Sequence, residues 1–390
     1  MIRLDVSERA RELRAEFRGW LTKHPAPSTG GDPSLDTFMR VGKSWQSELA
    51  SGGWVGVHWP KEFGGRGLSL VEEAVVQEEL VRVGSPQLLG LFGLTMVGPV
   101  LISHGTEEQK HRFLSNILSA KEIWCQGFSE PGAGSDLAAV STRAQITDDG
   151  FLVSGQKIWT SFAHVADWCF VLCRTSGEEQ KHKGLSYLLV DMKSKGITTR
   201  PLTQISGDRE FNEVFFDNVF VPKDRLVGAV GDGWRIAIST LMYERVVLTF
   251  ARQLQSEVLL RSLLGERSKA ASVTQRMEIA RETAKACAVR ALSYEHLADY
   301  AAGKKPGPEG SLDKLFWSES FQALCKLAVK LQGTAAATSE NVDGDTYPAA
   351  LDLHRYLYSR GRTIAAGTSE IQRSIIAERV LGLPRLSYGH

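Results

Sequence analysis

The sequence predicts an α+β fold with three parts: an N-terminal helical domain, a middle β-barrel-like domain and a C-terminal four-helix bundle. Three observations predict it. Apolar residues recur at helical spacing over residues 1–122. The period shifts to two over residues 123–232, and helical spacing returns over residues 233–390. Hydrophobic residues make up 43% of the 390-residue chain and charged residues 23%, a globular composition with enough apolar material for two or three cores.

In order, Arg9 to Lys23 carries Leu13, Phe17 and Leu21 along one helical stripe, and Leu70–Val83 and Leu88–Ser103 follow. Thr106-x-x-Gln109 is a capping box that opens the next helix. The middle region holds short β-rich runs at Thr142–Ile146, Phe151–Ser154, Trp168–Arg174, Leu185–Asp191 and Glu213–Phe220. Asp148-Asp149-Gly150 and Gly177 punctuate them as turns. Gly233 to about Leu264 reads as one long helix, and Gly303–Pro308 as a helix-to-helix linker. The last helix begins near Thr368 and stops before Gly382-Leu383-Pro384. No internal repeat interrupts this order.

A formal net charge of +1 leaves no footprint for nucleic acid and no patch for a membrane surface. The first 18 residues mix Arg, Asp and Glu, unlike a signal or transit peptide, and no apolar run is long enough to span a bilayer. The five cysteines are odd in number and none are spaced Cys-x-x-Cys; Cys169 and Cys173 read as half-buried small hydrophobes in a strand. Reduced thiols and a cytoplasmic protein are expected.

Candidate chemistry concentrates in four places. Residues 126–136 run Gln126-Gly127-Phe128-Ser129-Glu130-Pro131-Gly132-Ala133-Gly134-Ser135-Asp136. The glycines permit close backbone approach, and Ser129 and Ser135 flank the turn, so the loop reads as a cradle for a flat polar ligand or as a plain strand-to-strand turn. Gly155-Gln156-Lys157-Ile158-Trp159-Thr160-Ser161 follows the Asp149-Gly150 hairpin signal. Glu244 interrupts the apolar stripe of the long helix, with Leu241, Val247 and Leu248 among its helical neighbours. Burial there raises the pKa of a carboxylate toward the range of a general base, while a structural ion pair or a surface position fits the pattern equally. Near the C-terminus stands Gly367-Thr368-Ser369-Glu370-Ile371-Gln372-Arg373.

These segments, in this order, resemble the acyl-CoA dehydrogenase family over nearly the whole chain. The family's first motif reads Ser/Thr-Glu-Pro-x-x-Gly-Ser-Asp, its second Gly-x-Lys-x-Trp-x-Thr/Ser, and its C-terminal signature matches from Gly367. The resemblance implies FAD bound by Gln126, Phe128, Ser129, Ser135, Trp159 and Ser161, with the Ser161 hydroxyl reaching toward flavin N5. It implies further cofactor contacts from Arg261, Gln332, Thr368 and Glu370. One departure stands out: most members carry the catalytic Glu just before the C-terminal Gly-Thr, and Ala366 occupies that place here. A branch that includes the isovaleryl-CoA and long-chain enzymes carries the base on the earlier helix before an Arg, and Glu244-Arg245 matches it. The implied reaction is α,β-dehydrogenation of an acyl-CoA to a trans-2-enoyl-CoA. Glu244 takes the α-proton, the backbone N–H of Ala366 holds the carbonyl oxygen, hydride passes to the flavin, and Ser135 and Arg245 contact substrate. An electron-transfer flavoprotein as acceptor and a tetramer are implied as well. Ala335-Ala336 replaces a glycine pair of the family, so one subunit of a hetero-oligomer with a shared or incomplete FAD site is the alternative. Near-neutral charge counts against a nucleic-acid-binding relative, and Glu244 has no clear job in a monooxygenase.

Overall fold

The computed structural model describes residues 7–28, 35–177, 181–269, 271–304, 307–333 and 352–385, except the side chains of residues 244–249 and 266–267. Five helices open the chain: α1 Glu8–Lys23, α2 Leu35–Ser51, α3 Leu70–Arg82, α4 Gly98–His104 and α5 Glu107–Leu118. The stripe of α1 is buried as its spacing predicts, with Leu13, Phe17 and Leu21 all in the core. The Thr106 capping box forms at the start of α5. The helix expected over 88–103 begins later, and a π turn at Gly93–Val97 leads into α4. Glycines explain that irregularity. A Cβ on Gly98 would stand 2.4 Å from the Trp59 ring, and one on Gly93 2.8 Å from Ile117.

The middle region forms eight strands: β1 Trp124–Gly127, β2 Arg143–Ile146, β3 Gly150–Ser161, β4 Trp168–Arg174, β5 Leu185–Asp191, β6 Ile197–Leu202, β7 Phe211–Pro222 and β8 Leu226–Val227. The sheet order is β6-β7-β3-β2-β4-β5-β8, with β1 parallel to β4. Asp149-Gly150 makes the expected β2–β3 hairpin. Alternate residues of β4 and β5 (Cys169, Val171, Leu188, Val190) share one core with Val153, Val214 and Phe216 of β3 and β7, so the sheet wraps around that core. The other faces of β4 and β5 pack with the N-terminal helices. Cys169 and Cys173 are therefore fully buried rather than half-buried, because β4 is covered on both sides. All five cysteines are free thiols.

Among the described residues five further helices follow: α6 Gly233–Ser262, α7 Val273–Ala301, α8 Gly310–Gln332, α9 Asp352–Arg362 and α10 Ser369–Ile375. The first four run up and down in a bundle. Arg290 of α7 meets Glu257 of α6, and Gln322 of α8 meets Ser359 at the end of α9. No described helix is long and apolar enough to cross a membrane.

Candidate active site

The first two motifs are bonded to each other. The Ile158 N–H donates to the Ser129 carbonyl at 2.9 Å. Lys157, with 0% of its surface exposed, sends its Nζ to the Phe128 carbonyl (2.9 Å), Glu130 Oε1 (2.8 Å) and the Leu172 carbonyl (2.7 Å). Glu130 also accepts from the Ser141 and Thr142 N–H groups and the Ser141 hydroxyl. Burial works against the charge on Glu130, but Lys157 and these donors outweigh it and hold the carboxyl down at about 2. On Lys157 burial prevails over Glu130, and its pKa is lowered. The acid and base of these motifs thus build the loop and have no valence left for chemistry.

Trp159 is the opposite case. A β-bulge between Lys157 and Thr160 breaks the β3–β7 register, and Trp159 sits in it at φ 59° with 57% of its surface exposed. Its ring stands edge-on to Phe211 at 5.9 Å. A left-handed bulky residue is strained, so its neighbours must hold it. Asn212 Nδ2 donates to the Thr160 carbonyl (3.0 Å), and the Phe162 N–H donates to the Glu210 carbonyl (2.7 Å). The 208–212 segment is in turn fastened to α9, through His354 Nε2 with Asp208 (2.8 Å) and the Tyr358 hydroxyl donating to Glu210 (2.9 Å).

Glu244 and Arg245 lie on α6, and their side chains are outside the described residues. The turn before them is well tied. Phe128 packs edge-on against Tyr187 at 6.0 Å, and the Thr240 hydroxyl meets the Tyr187 hydroxyl at 3.4 Å. The Tyr243 hydroxyl bonds Ser103 Oγ at 2.8 Å. Position 244 is one helical turn beyond Thr240, so Tyr187 links the first motif to the turn of α6 that precedes the expected base.

The third motif forms a left-handed turn, with Ala366 at φ 56° and Gly367 at φ 87°. The Thr368 hydroxyl caps α10 by accepting from the Ile371 N–H at 3.2 Å. Glu370 is exposed, and its own backbone N–H and the Thr368 hydroxyl lower its pKa. Ser129 and Ser161 are half-buried, Gln126 is half-buried on β1, Phe128 is buried, and Ser135 is exposed.

Arg261 and Gln332 are not brought to these loops. Arg261 is in the last turn of α6, about 26 Å along the helix from position 244. Gln332 ends α8, about 27 Å from Lys314, which bonds Gly367. Both stand at the far end of the bundle, where Leu260 and Leu263 pack on Leu324 and Leu327. Ala335 and Ala336 lie outside the described residues.

The residues present fit a flat, polar-rimmed ring system. Trp159 offers an open aromatic face, and Thr160 Oγ1 is buried without a partner among the described residues. A Cβ on Gly132 or Gly134 would meet nothing within 4 Å, so that edge of the loop is open. Sequence reading assigned no role to Lys157, Lys314 or Gln372. Lys157 sat inside a quoted motif, at an inward position of an alternating strand, which was the available signal. Lys314 had none.

A curved sheet between two helical domains, with an outward aromatic held beside a glycine loop, is the arrangement expected from the resemblance to the acyl-CoA dehydrogenases. Comparison with known proteins agrees. Family models for the acyl-CoA dehydrogenase N-terminal, middle and C-terminal domains match residues 7–121, 125–219 and 231–381. The chain is 41% identical to acyl-CoA dehydrogenase IpdE1 of Mycobacterium tuberculosis over 97% of this chain and 99% of that protein. Among solved structures it resembles the ChsE4-ChsE5 complex from Mycobacterium tuberculosis, with TM-score 0.84 and 28% identity over 99% of this chain and 100% of that one. It also resembles the Tcur3481-Tcur3483 steroid ACAD, with TM-score 0.81 and 29% identity over 99% and 100% of the two chains. The protein belongs to the acyl-CoA dehydrogenase family.

Proposed function

We propose that this protein is an FAD-dependent acyl-CoA dehydrogenase that uses Glu244 as its base. The observation that carries the reading is the hydrogen-bonded pairing of the two ring-binding motifs around an outward Trp159. Phe128, Ser129, Trp159 and Ser161 hold the ring system, and Gln126 and Ser135 belong to the same edge. Bound FAD supplies the acceptor for the β-hydrogen. The chain's own residues do the rest. Glu244, with the apolar Leu241, Val247 and Leu248 among its helical neighbours, takes the α-proton of the thioester. The Ala366 N–H donates to the carbonyl oxygen as charge gathers there. Arg245 shapes the substrate pocket beside the base. Thr368 orders the turn that carries the Ala366 amide. The electron acceptor is an electron-transfer flavoprotein, and the compartment is the cytoplasm.

The purified protein should be yellow, and an acyl-CoA should bleach it anaerobically. Failure of every acyl chain, from short straight chains to ring-bearing ones, would reject the reading. Glu244→Gln should retain flavin and lose at least 10²-fold in the bleaching rate; an unchanged rate would reject the base.

A second reading has support of its own. Two similar structures are two-chain complexes, and one is described as a steroid ACAD. Arg261 and Gln332 sit too far from the reactive loops to share the ring end of one cofactor with Glu244. In this reading the chain is one subunit of a hetero-oligomer that acts on a bulky steroid-derived acyl-CoA. Arg261, Gln332 and Glu370 then serve the adenosine end of a cofactor shared across the interface.

A further inference from the structure

We propose that Lys314, together with Gln372, is a positioning residue that holds the Ala366 N–H toward the substrate's thioester carbonyl. The proposal rests on the dehydrogenase reading and concerns what keeps its oxyanion donor in place. The turn cannot hold itself. Ala366 and Gly367 are consecutive left-handed residues, and alanine gains nothing from that conformation. Other side chains must therefore impose it, and two do.

Lys314 reaches from α8 with 1% of its surface exposed and donates to the Gly367 carbonyl at 2.7 Å. Gln372 is fully buried, and its Nε2 donates to the Ala366 carbonyl (2.9 Å) and the Gly367 carbonyl (3.2 Å). The other end of that amide, Oε1, is buried with no partner among the described residues. The grip is also close, since a Cβ on Gly367 would meet Gln372 Nε2 at 2.6 Å. With the Ala366 and Gly367 carbonyls pulled inward, the peptide planes on either side of Gly367 are held. The Ala366 N–H belongs to the preceding peptide, which lies between this held segment and the Ala365 N–H, itself donating to the Gly361 carbonyl at 2.9 Å.

Helix α8 also sets this turn against the base helix. One turn beyond Lys314, Trp317 Nε1 donates to Ser256 Oγ of α6 at 3.1 Å. Farther along, Gln322 Nε2 donates to the Ser359 carbonyl and to Thr363 Oγ1, where α9 runs into the turn. One helix thus contacts both α6 and the turn that carries the oxyanion donor. The resemblance implies a Glu base at the position of Ala366 in most members of the family. Here the position contributes only backbone, so its placement is the whole of its contribution.

The test uses the flavin-loaded full-length protein and a chromophoric 2-enoyl-CoA whose absorption moves to the red when its carbonyl is polarised. Wild-type protein should shift the band. Lys314→Met and Gln372→Leu should keep their flavin and fold, lose most of the red shift, and lose about 10²-fold in kcat. KM should stay within about threefold, as expected when only transition-state binding is lost. A full red shift in both variants overturns the clamp and leaves the dehydrogenase reading standing. Failure of both to fold also overturns it, since the pair would then belong to the core alone. A wild-type protein that shifts no enoyl thioester, and is bleached by no acyl-CoA, overturns the reading and the clamp together.

Discussion

Glu130 and Lys157 show how a residue can sit inside a flavin motif and serve only to build it. The carboxylate accepts four hydrogen bonds, and the ammonium donates three, two of them to the carbonyls of Phe128 at the start of the loop and Leu172 in β4. The pair makes stability depend on pH, with a definite sign. Glu130 titrates near 2 in the folded chain against an ordinary 4.5, so its contribution is complete above pH 4.5 and is lost as pH falls toward 2. Thermal melts from pH 5 to 2.5 should fall more steeply for wild type than for Glu130→Gln; parallel curves would mean the acid is not held ionised. Lys157→Met strands a buried carboxylate and should cost about 3–5 kcal/mol in chemical denaturation. The motif residues Ser129, Trp159 and Ser161 were legible because short-range spacing carries them. The strain at Trp159 was not, because the bulge depends on where β7 pairs.

At the scale of elements, local chemistry predicted well wherever an element is decided by its own residues. The buried stripe of α1, the capping box of α5 and the hairpin at Gly150 are such cases. The missed elements are those decided elsewhere. Strand β1 is four residues long and exists because β4 lies parallel to it. Strand β6 contains Pro201 and lies at the sheet edge, where a missing N–H is tolerated. The π turn within the helix expected over 88–103 lies where glycines pack closely, Gly98 against Trp59 and Gly93 against Ile117. Gly98→Ala would push a methyl group into that ring and should destabilise the protein by about 1–3 kcal/mol in urea titration. An unchanged midpoint would mean the π turn absorbs the methyl.

At the scale of the molecule, charged side chains bind the terminal helical domain to the bundle. Arg290 of α7 bonds both Glu257 of α6 and Glu78 of α3, and Glu78 and Glu79 pair with Arg14. Burial works against the charge on Arg290, but hydrogen bonding to Glu257 outweighs it, so it stays charged at any pH of interest. The larger question is assembly. If the chain pairs with a different subunit, FAD bound per chain should rise when the two are mixed, with a larger species in gel filtration. Unchanged stoichiometry and size with every candidate partner would favour the self-assembled enzyme.

The sequence alone determined the family, the order of helical and sheet regions, and the three motifs, because these rest on residue type and near spacing. It also showed that position 366 carries no side-chain base, since alanine has no proton to exchange. Only the tertiary structure decided which charged residues are structural. It tied α6 to the first motif through Tyr187, and it bonded the Ala366 turn to a helix about fifty residues earlier in the chain. Those relations are set by hydrogen bonds and packing between distant segments, and no local period records them.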